Sequence, residues 1–176
     1  MLAAIATVFT SCEKDDPEVP NEEELITTVV LTLEPRTGGD AVVLKFQDLD
    51  GEGGNPPVIT SGELKDGVTY DGEVEFLNEQ EDPAEDITEE VEEEGTEHQV
   101  FYEVVSSGNV DVEYQDVDLE GNPLGLEITL TASGAPADGT LTIILRHEPK
   151  KPNNGTPSDA GGETDVEAPI TFSIVQ

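Results

Sequence analysis

The chain has 176 residues, of which 41 are acidic and 7 are basic, and its formal net charge at pH 7 is −34. This charge argues against binding to nucleic acid, because affinity for phosphate groups depends on clustered Lys and Arg side chains. Aromatic residues make up 5% of the chain and Trp is absent, which leaves little material for a sugar-stacking surface. Cys12 is the only cysteine, so an intramolecular disulfide is impossible.

The first segment, residues 1–11, is a short apolar run that ends in small residues directly before Cys12. This pattern predicts the tail of a secretory signal peptide. Residues 9–12, with the sequence FTSC, resemble a bacterial lipobox. The resemblance implies that Cys12 is lipidated and anchors the mature protein to a membrane. The alternative is a cysteine that follows a hydrophobic tail by coincidence.

An acidic segment follows, and residues 13–18 read EKDDPE. This cluster resembles the surface-export signal of Bacteroidota lipoproteins, which implies lipid anchoring in the outer membrane, at the cell surface or on the periplasmic face. The alternative is an ordinary solvated linker. Residues 12–24 contain two prolines and no apolar face, so we expect the lipidated cysteine to be followed by a mobile tether.

From residue 25 onward, apolar and polar residues alternate along successive short segments. The first of these places Val29, Leu31 and Leu33 between polar neighbours, as in a half-buried strand. Regular turn spacing predicts an all-β fold, a single antiparallel β-sandwich of about nine strands over residues 25–176, Ig-like or jelly-roll-like. A closed β-barrel is the first alternative, and two separate Ig-like modules are the second. Pro169 falls on an outward position of the last strand and indicates an edge.

One short surface helix is predicted over residues 80–97. Asp82 suits the N-cap, Pro83 suits the first helical position, and Ile87 and Val91 form a narrow apolar stripe. A second irregular segment, residues 150–163, is rich in Pro, Gly and Asn and is predicted to be a loop.

Two parts of the chain repeat at an offset of 68 residues (116 − 48). Residues 46–55, FQDLDGEGGN, align with residues 114–123, YQDVDLEGNP, and residues 60–67 align with residues 132–139 at the slightly larger offset of 72 (132 − 60). The repeat predicts that the sandwich is built from two related halves, about 25–97 and 98–176.

The repeated turns are candidate calcium loops. In the second copy, positions 1, 3, 5 and 12 of an EF-hand-type spacing carry Asp116, Asp118, Glu120 and Glu127. The first copy offers Asp48, Asp50 and Glu52 but has Ile59 at position 12. The alternative is a pair of polar hairpin turns, since Asp, Asn and Gly favour turns without any ion.

The two histidines of the chain form a second candidate metal site. His98 follows Glu97 at the start of a strand, and His147 precedes Glu148 at the end of another. If these strands are antiparallel, both histidines lie at the same end of the sandwich, and the repeat offset aligns His147 with Glu79 (147 − 79 = 68). Imidazoles together with carboxylates suit Zn²⁺ or Cu²⁺. The alternative is two surface histidines whose pKa values are raised by acidic neighbours.

No arrangement of Ser, Cys, His and Asp indicates a catalytic centre, so we expect a protein that is not an enzyme. Residues 145–149, LRHEP, and residues 160–165, AGGETD, are similar to a group labelled type 1 periplasmic binding fold superfamily proteins. That resemblance implies an α/β fold, whereas the alternation along this chain predicts strands throughout.

The expected function is that of a lipid-anchored binding protein of the cell envelope that captures a divalent metal or a cationic ligand. Such a protein can act as an accessory to an outer-membrane transporter. The alternative is a structural or adhesive Ig-like module that binds a protein or a glycan.

Overall fold

The computed structural model describes residues 25–51 and 53–176. The predicted signal segment at residues 1–11, the lipidation site Cys12, the tether and Glu52 lie outside the described residues.

Eleven strands form two sheets. Two short helices lie in the connections between strands. The seven-stranded sheet has the spatial order β3 (Val58–Thr60), β2 (Val42–Gln47), β1 (Thr28–Pro35), β5 (Val68–Asn78), β9 (Glu127–Ser133) and β8 (Asn109–Tyr114), with β6 (Glu85–Asp86) paired to β5. The four-stranded sheet has the order β4 (Gly62–Lys65), β11 (Glu163–Val175), β10 (Ala137–His147) and β7 (His98–Ser106). The helices are α1 (Thr88–Glu93) and α2 (Pro157–Ala160).

A single large hydrophobic core lies between the sheets. The seven-stranded sheet contributes side chains such as Leu31 and Phe76, and the four-stranded sheet contributes Leu141 and Ile170, all fully buried. Each such side chain stabilises the fold by about 1.5–3 kcal/mol relative to an exposed position. The buried side chains are the apolar residues of the alternating pattern, because successive side chains of a strand point to opposite faces of the sheet.

The predicted all-β sandwich is confirmed. Both sheets end in strands with a free edge, β3 and β8 in one and β4 and β7 in the other, so the closed barrel is excluded. The α/β fold implied by the resemblance to periplasmic binding folds is wrong, because the described residues form mainly antiparallel strands and only two short helices. The strand number differs from the predicted one because β4 and β6 are too short to show a periodic pattern. Pairing is antiparallel except between β4 and β11.

The predicted helix over residues 80–97 is much shorter in the structure. The helix α1 covers only Thr88–Glu93, since the preceding residues Glu85–Asp86 pair with β5 as the edge strand β6. The backbone N–H of Thr88 donates to the carboxylate of Asp86, not of Asp82. The apolar stripe is confirmed, because Ile87 and Val91 are buried. Neither of the two described helices is long and apolar enough to cross a membrane.

Two features near the end of the chain refine the prediction. The loop at 150–163 contains the short helix α2, capped by the side chain of Thr156. Pro169 belongs to β11, which lies inside its sheet, but β4 pairs with β11 only from Phe172 to Val175. The side of β11 that faces β4 is therefore unpaired at Pro169. This suits proline, which has no N–H to donate to a neighbouring strand.

The offset of 68 residues relates strands and helices of the first half to those of the second half, as well as their sequences. It carries β5 onto residues 136–146, close to β10 at Ala137–His147, and it carries α1 onto residues 156–161, around α2 at Pro157–Ala160. The pairing is not repeated, because β1 and β2 pair in one sheet, whereas their counterparts β7 and β8 lie in different sheets.

Candidate metal centre

The structure brings the two histidines of the chain together at one end of the four-stranded sheet. His98 is the first residue of β7 and His147 is the last residue of β10, and they are directly opposite each other in the antiparallel register. Side chains that are directly opposite lie on the same face of a sheet. The two imidazole rings therefore stack, with centroids 4.8 Å apart and an interplanar angle of 23°.

Asp165 is the carboxylate that joins the pair, and a β-bulge places it there. Along β11, Val166 pairs with Leu145 and Thr164 pairs with Arg146, so Asp165 is an extra residue without a counterpart in β10. A bulge of this kind changes the direction of a side chain relative to a regular strand. The bulge lies next to the end of β10, where His147 is located.

The three side chains form a compact and largely buried cluster. One ligand atom from each of His98, His147 and Asp165 lies within 4.8 Å of the other two, and Nε2 of His98 lies 4.0 Å from Oδ2 of Asp165. The side chains of His98 and Asp165 are 2% and 4% exposed. Nδ1 of His98 makes no hydrogen bond of normal geometry with any described residue. A buried donor or acceptor left in this way is costly unless a further group satisfies it.

Burial keeps His98 in its neutral form. Loss of hydration, with smaller contributions from His147 and Lys151, lowers the pKa of His98 from 6.5 to about 4, although the nearby backbone of Glu94 opposes this shift. The predicted increase in pKa from acidic surroundings is therefore wrong for His98, because desolvation penalises the charged imidazole. The alternative of two surface histidines is excluded as well. A neutral imidazole is the form that ligates metals.

The carboxylates that the sequence suggested are not those that complete the cluster. The side chains of Glu97 and Glu148 are exposed, and the backbone N–H of Glu148 donates a hydrogen bond of 2.7 Å to the carbonyl of Glu97. Glu79 directly follows β5 of the other sheet, where it accepts hydrogen bonds from Thr28, Lys45 and Gln47.

A glycine pair allows the chain to return to His147 after the loop. Gly162 has a φ of 72°, and a Cβ atom at this position would collide with the backbone carbonyl of His147. Only glycine combines this φ with so close an approach. Gly161 and Gly162 are part of the AGGETD segment, so this motif positions Asp165 three residues later. The two glycines of this segment are a sequence signal for a sharp turn before Asp165, but they do not predict the bulge.

In the first Asp-rich turn, the described carboxylates accept hydrogen bonds from backbone and side-chain groups of the turn itself. Asp48 accepts a hydrogen bond from N of Gly51, and Asp50 accepts two from Asn55. These are the hydrogen bonds of Asx-type turns, which favour the alternative of a polar hairpin turn. Glu52 lies outside the described residues.

In the second Asp-rich turn, groups of the protein itself bind the carboxylates of Asp116 and Asp118. Asp116 accepts hydrogen bonds from three consecutive backbone N–H groups, beginning at Gly125. Asp118 accepts bonds from Glu120 and Asn122 through Oδ1, and its Oδ2 lies 3.0 Å from Nζ of Lys151. The exposed Glu127 lines a neighbouring groove.

The same lysine also reaches backbone oxygens. Nζ of Lys151 donates to the carbonyl of Gly95 at 2.6 Å and to the carbonyl of His98. Although burial acts to raise the pKa of Asp118, hydrogen bonds from Asn122 and Lys151 outweigh it and hold this pKa below 3.8. An ammonium group thus meets the oxygen atoms of this turn, which favours a turn over a calcium site.

No protein-family model, curated protein or solved structure matches this chain. The chemistry of the site must therefore be derived from its own residues. Two imidazoles and one carboxylate form a donor set for a divalent transition metal, with a coordination position left for water or another ligand.

Proposed function

We propose that this protein is a non-enzymatic, lipid-anchored binding protein of the bacterial outer membrane that captures a divalent transition metal, Zn²⁺ or Cu²⁺. The observation that carries the metal part is the convergence of His98, His147 and Asp165 in a buried cluster. The anchoring part is supported by the lipobox-like residues around Cys12.

The donor set favours transition metals over calcium. Imidazole nitrogen and one carboxylate suit Zn²⁺ and Cu²⁺, whereas Ca²⁺ takes six to eight oxygen ligands. His98 is neutral at physiological pH, so an ion does not have to displace a proton from it.

Binding requires a small rearrangement of the two rings. The ligand atoms lie up to 4.8 Å apart, whereas Zn–N and Zn–O bonds of about 2.0–2.2 Å place the ligands of a tetrahedral ion roughly 3.3 Å apart. The imidazoles must therefore rotate out of their stacked arrangement towards a common point. His147, at the end of β10, is the more exposed of the two at 8%.

We propose that the ion enters through a cleft beside Asp165, which neither histidine lines. This cleft has a volume of about 630 Å³ and lies between the ends of the two sheets. Its walls include Asp48 and Asp50 of the first Asp-rich turn, as well as Thr164 and Asp165 of β11. The carboxylates at its mouth attract cations, since a cleft lined by charge of one sign raises the local concentration of counter-ions.

Calorimetric titration of the chelator-treated protein with Zn²⁺, and separately with Cu²⁺, tests the metal site. We expect saturable binding of about one ion per chain and at least about tenfold weaker binding for Asp165→Asn. Because the chain has only two histidines, an NMR titration with Zn²⁺ should perturb the ring signals of both. Calcium should not compete.

Glu148→Gln and Glu97→Gln are the matched controls, since they remove exposed carboxylates adjacent to the histidines in sequence. Both variants should bind as the unaltered protein does. The metal proposal is wrong if no heat develops at millimolar metal, or if Glu148→Gln weakens binding as much as Asp165→Asn.

Lipidation is tested separately from metal binding. In bacterial cells that receive labelled palmitate, the intact chain should become labelled and fractionate with the outer membrane. Cys12→Ser should remove the label and release the protein, since stable anchoring requires the acyl chains. An unlabelled, membrane-free protein with an unaltered Cys12 would refute the anchoring part while leaving the metal site untouched.

A further inference from the structure

We infer that a groove between α1 and the loop at residues 115–126 docks a cationic peptide segment that carries an apolar side chain. This site is separate from the histidine cluster, and the inference does not depend on metal binding.

The groove exists because the edge of β5 is shared by two different partners. β9 pairs with β5 from Val68 to Glu73, and β6 pairs with it only at Leu77 and Asn78. Between these two pairings, α1 forms one wall and the loop at 115–126 forms the other. The resulting groove has a volume of about 490 Å³, within the range of small-ligand and peptide-anchor sites.

The groove has an apolar floor and an apolar rim. The buried side chains of Val74, Leu124 and Leu126 line its floor. Val117 and Leu119 lie at the rim, where they are 62% and 95% exposed. A single exposed leucine is ordinary on a protein surface, but apolar rim residues next to an apolar-floored groove indicate an interaction site.

The turn that carries Leu119 is held firmly. The backbone of Asp118 accepts a hydrogen bond from Gly121 and donates one to the carbonyl of Asn122. Its carboxylate binds Lys151, and Val117 pairs with Pro123 in an isolated bridge. Leu119 is therefore displayed on an ordered turn, and this turn loses little conformational freedom when a partner covers it.

The charge around the groove selects a cationic partner. Exposed acidic residues from α1 and from the strands beside it line the groove, and no Lys or Arg is among the described lining residues: the carboxylates are Glu73, Glu75, Asp86, Glu89, Glu92 and Glu127. A segment with lysines on either side of a leucine or similar side chain satisfies both features. Its apolar side chain would cover the floor, and its ammonium groups would reach the carboxylates of α1 and of the neighbouring strands.

Fluorescence anisotropy with a labelled hexapeptide, KLKKLK, tests this inference on the whole chain in the presence of a chelator. We expect saturable binding that weakens at least about tenfold when Leu119→Ser removes the rim side chain. A KSKKSK peptide, with equal charge, should bind at least about tenfold more weakly. Raising the salt to 1 M should weaken binding further, since the screening length falls to about 3 Å.

Val105→Ser is the matched control, because Val105 is 78% exposed on the other sheet, away from the groove. This variant should bind KLKKLK like the unaltered protein, as should Asp165→Asn at the histidine cluster. If KSKKSK binds as tightly as KLKKLK, or if Leu119→Ser and Val105→Ser behave alike, the association is a general attraction to a chain of charge −34 and the inference is refuted.

Discussion

Replacing Lys151 with Met should lower the free energy of unfolding by about 3–5 kcal/mol. Nζ of Lys151 and the carboxylate of Asp118 form an ion pair whose side chains are 4% and 0% exposed. The same ammonium group binds the carbonyls of Gly95 and His98, so it joins the loop after β10 to the end of α1 and the start of β7. Removal of the lysine leaves a buried carboxylate without its counter-charge, which is the costly case for a buried ion pair.

The neighbouring residue provides the control. Lys150 pairs with Asp159 at 3.3 Å, but these side chains are 62% and 36% exposed. Lys150→Met should therefore cost no more than about 1 kcal/mol, as for other surface ion pairs. Urea denaturation of both variants in the presence of a chelator measures the difference. Equal stabilities of Lys150→Met and Lys151→Met would contradict the role assigned to the buried pair.

A double variant separates the lost charge pair from lost packing. Lys151→Met combined with Asp118→Asn removes both charges, so no uncompensated carboxylate remains in the interior. The combined loss should be smaller than the sum of the two single losses by at least about 1 kcal/mol, the range of coupling measured between residues in contact. Additive losses would show that the two side chains contribute independently.

The fold could be predicted from sequence because its signal is local and repeated. In β1, Val29, Leu31 and Leu33 are buried, as their alternation with polar residues predicts, and β5 and the second half of β11 alternate in the same way. The strands β4 and β6, with four and two residues, are set by pairing across the sheet and have no period of their own. The helix α1 was overestimated because the segment before it pairs with β5 instead of continuing the helix.

The candidate metal site could be predicted only in part. His98 and His147 were placed together by strand direction, which is a property of the whole sandwich. Asp165 was missed because it occupies a bulge, and a bulge shifts the register by one residue without altering the apolar pattern around it. The sequence contains 41 acidic residues, so spacing alone could not distinguish Asp165 from Glu97 or Glu148.

The Asp-rich turns illustrate the limit of a motif without its surroundings. The spacing of Asp116, Asp118 and Glu127 fits a calcium loop. In the structure, however, the carboxylate of Asp118 forms an ion pair with the ammonium group of Lys151. Lys151 lies 33 residues further along the chain and reaches this turn only through the folded arrangement of the loop after β10. No local pattern around the turn contains that information.

Acidification of the metal-free protein from pH 7 to pH 4 should lower the free energy of unfolding by about 2–3 kcal/mol through His98 alone. In the unfolded chain His98 takes up a proton near pH 6.5, whereas in the folded protein burial lowers its pKa to about 4. Between these two values the unfolded state binds more protons, so stability falls as the pH falls. A difference of about 2.5 pKa units at 1.36 kcal/mol each sets an upper limit of about 3 kcal/mol.

The sign of the effect distinguishes burial from pairing with Asp165. At 4.0 Å, Nε2 of His98 and Oδ2 of Asp165 are too far apart for a direct hydrogen bond. If that carboxylate nevertheless controlled His98, the folded-state pKa of His98 would be raised. The free energy of unfolding would then increase as the pH falls from 7 to 5. Urea denaturation at several pH values and the NMR signal of the His98 ring measure the two quantities independently.

The variant His98→Gln should abolish the loss of stability between pH 6.5 and pH 4, because glutamine does not titrate. A second loss below pH 3.8 should remain in this variant, since hydrogen bonds hold the pKa of Asp118 below that value and protonation breaks its pair with Lys151. The two pH windows therefore report on different groups. A pH dependence between 6.5 and 4 that persists in His98→Gln would show that other groups cause it.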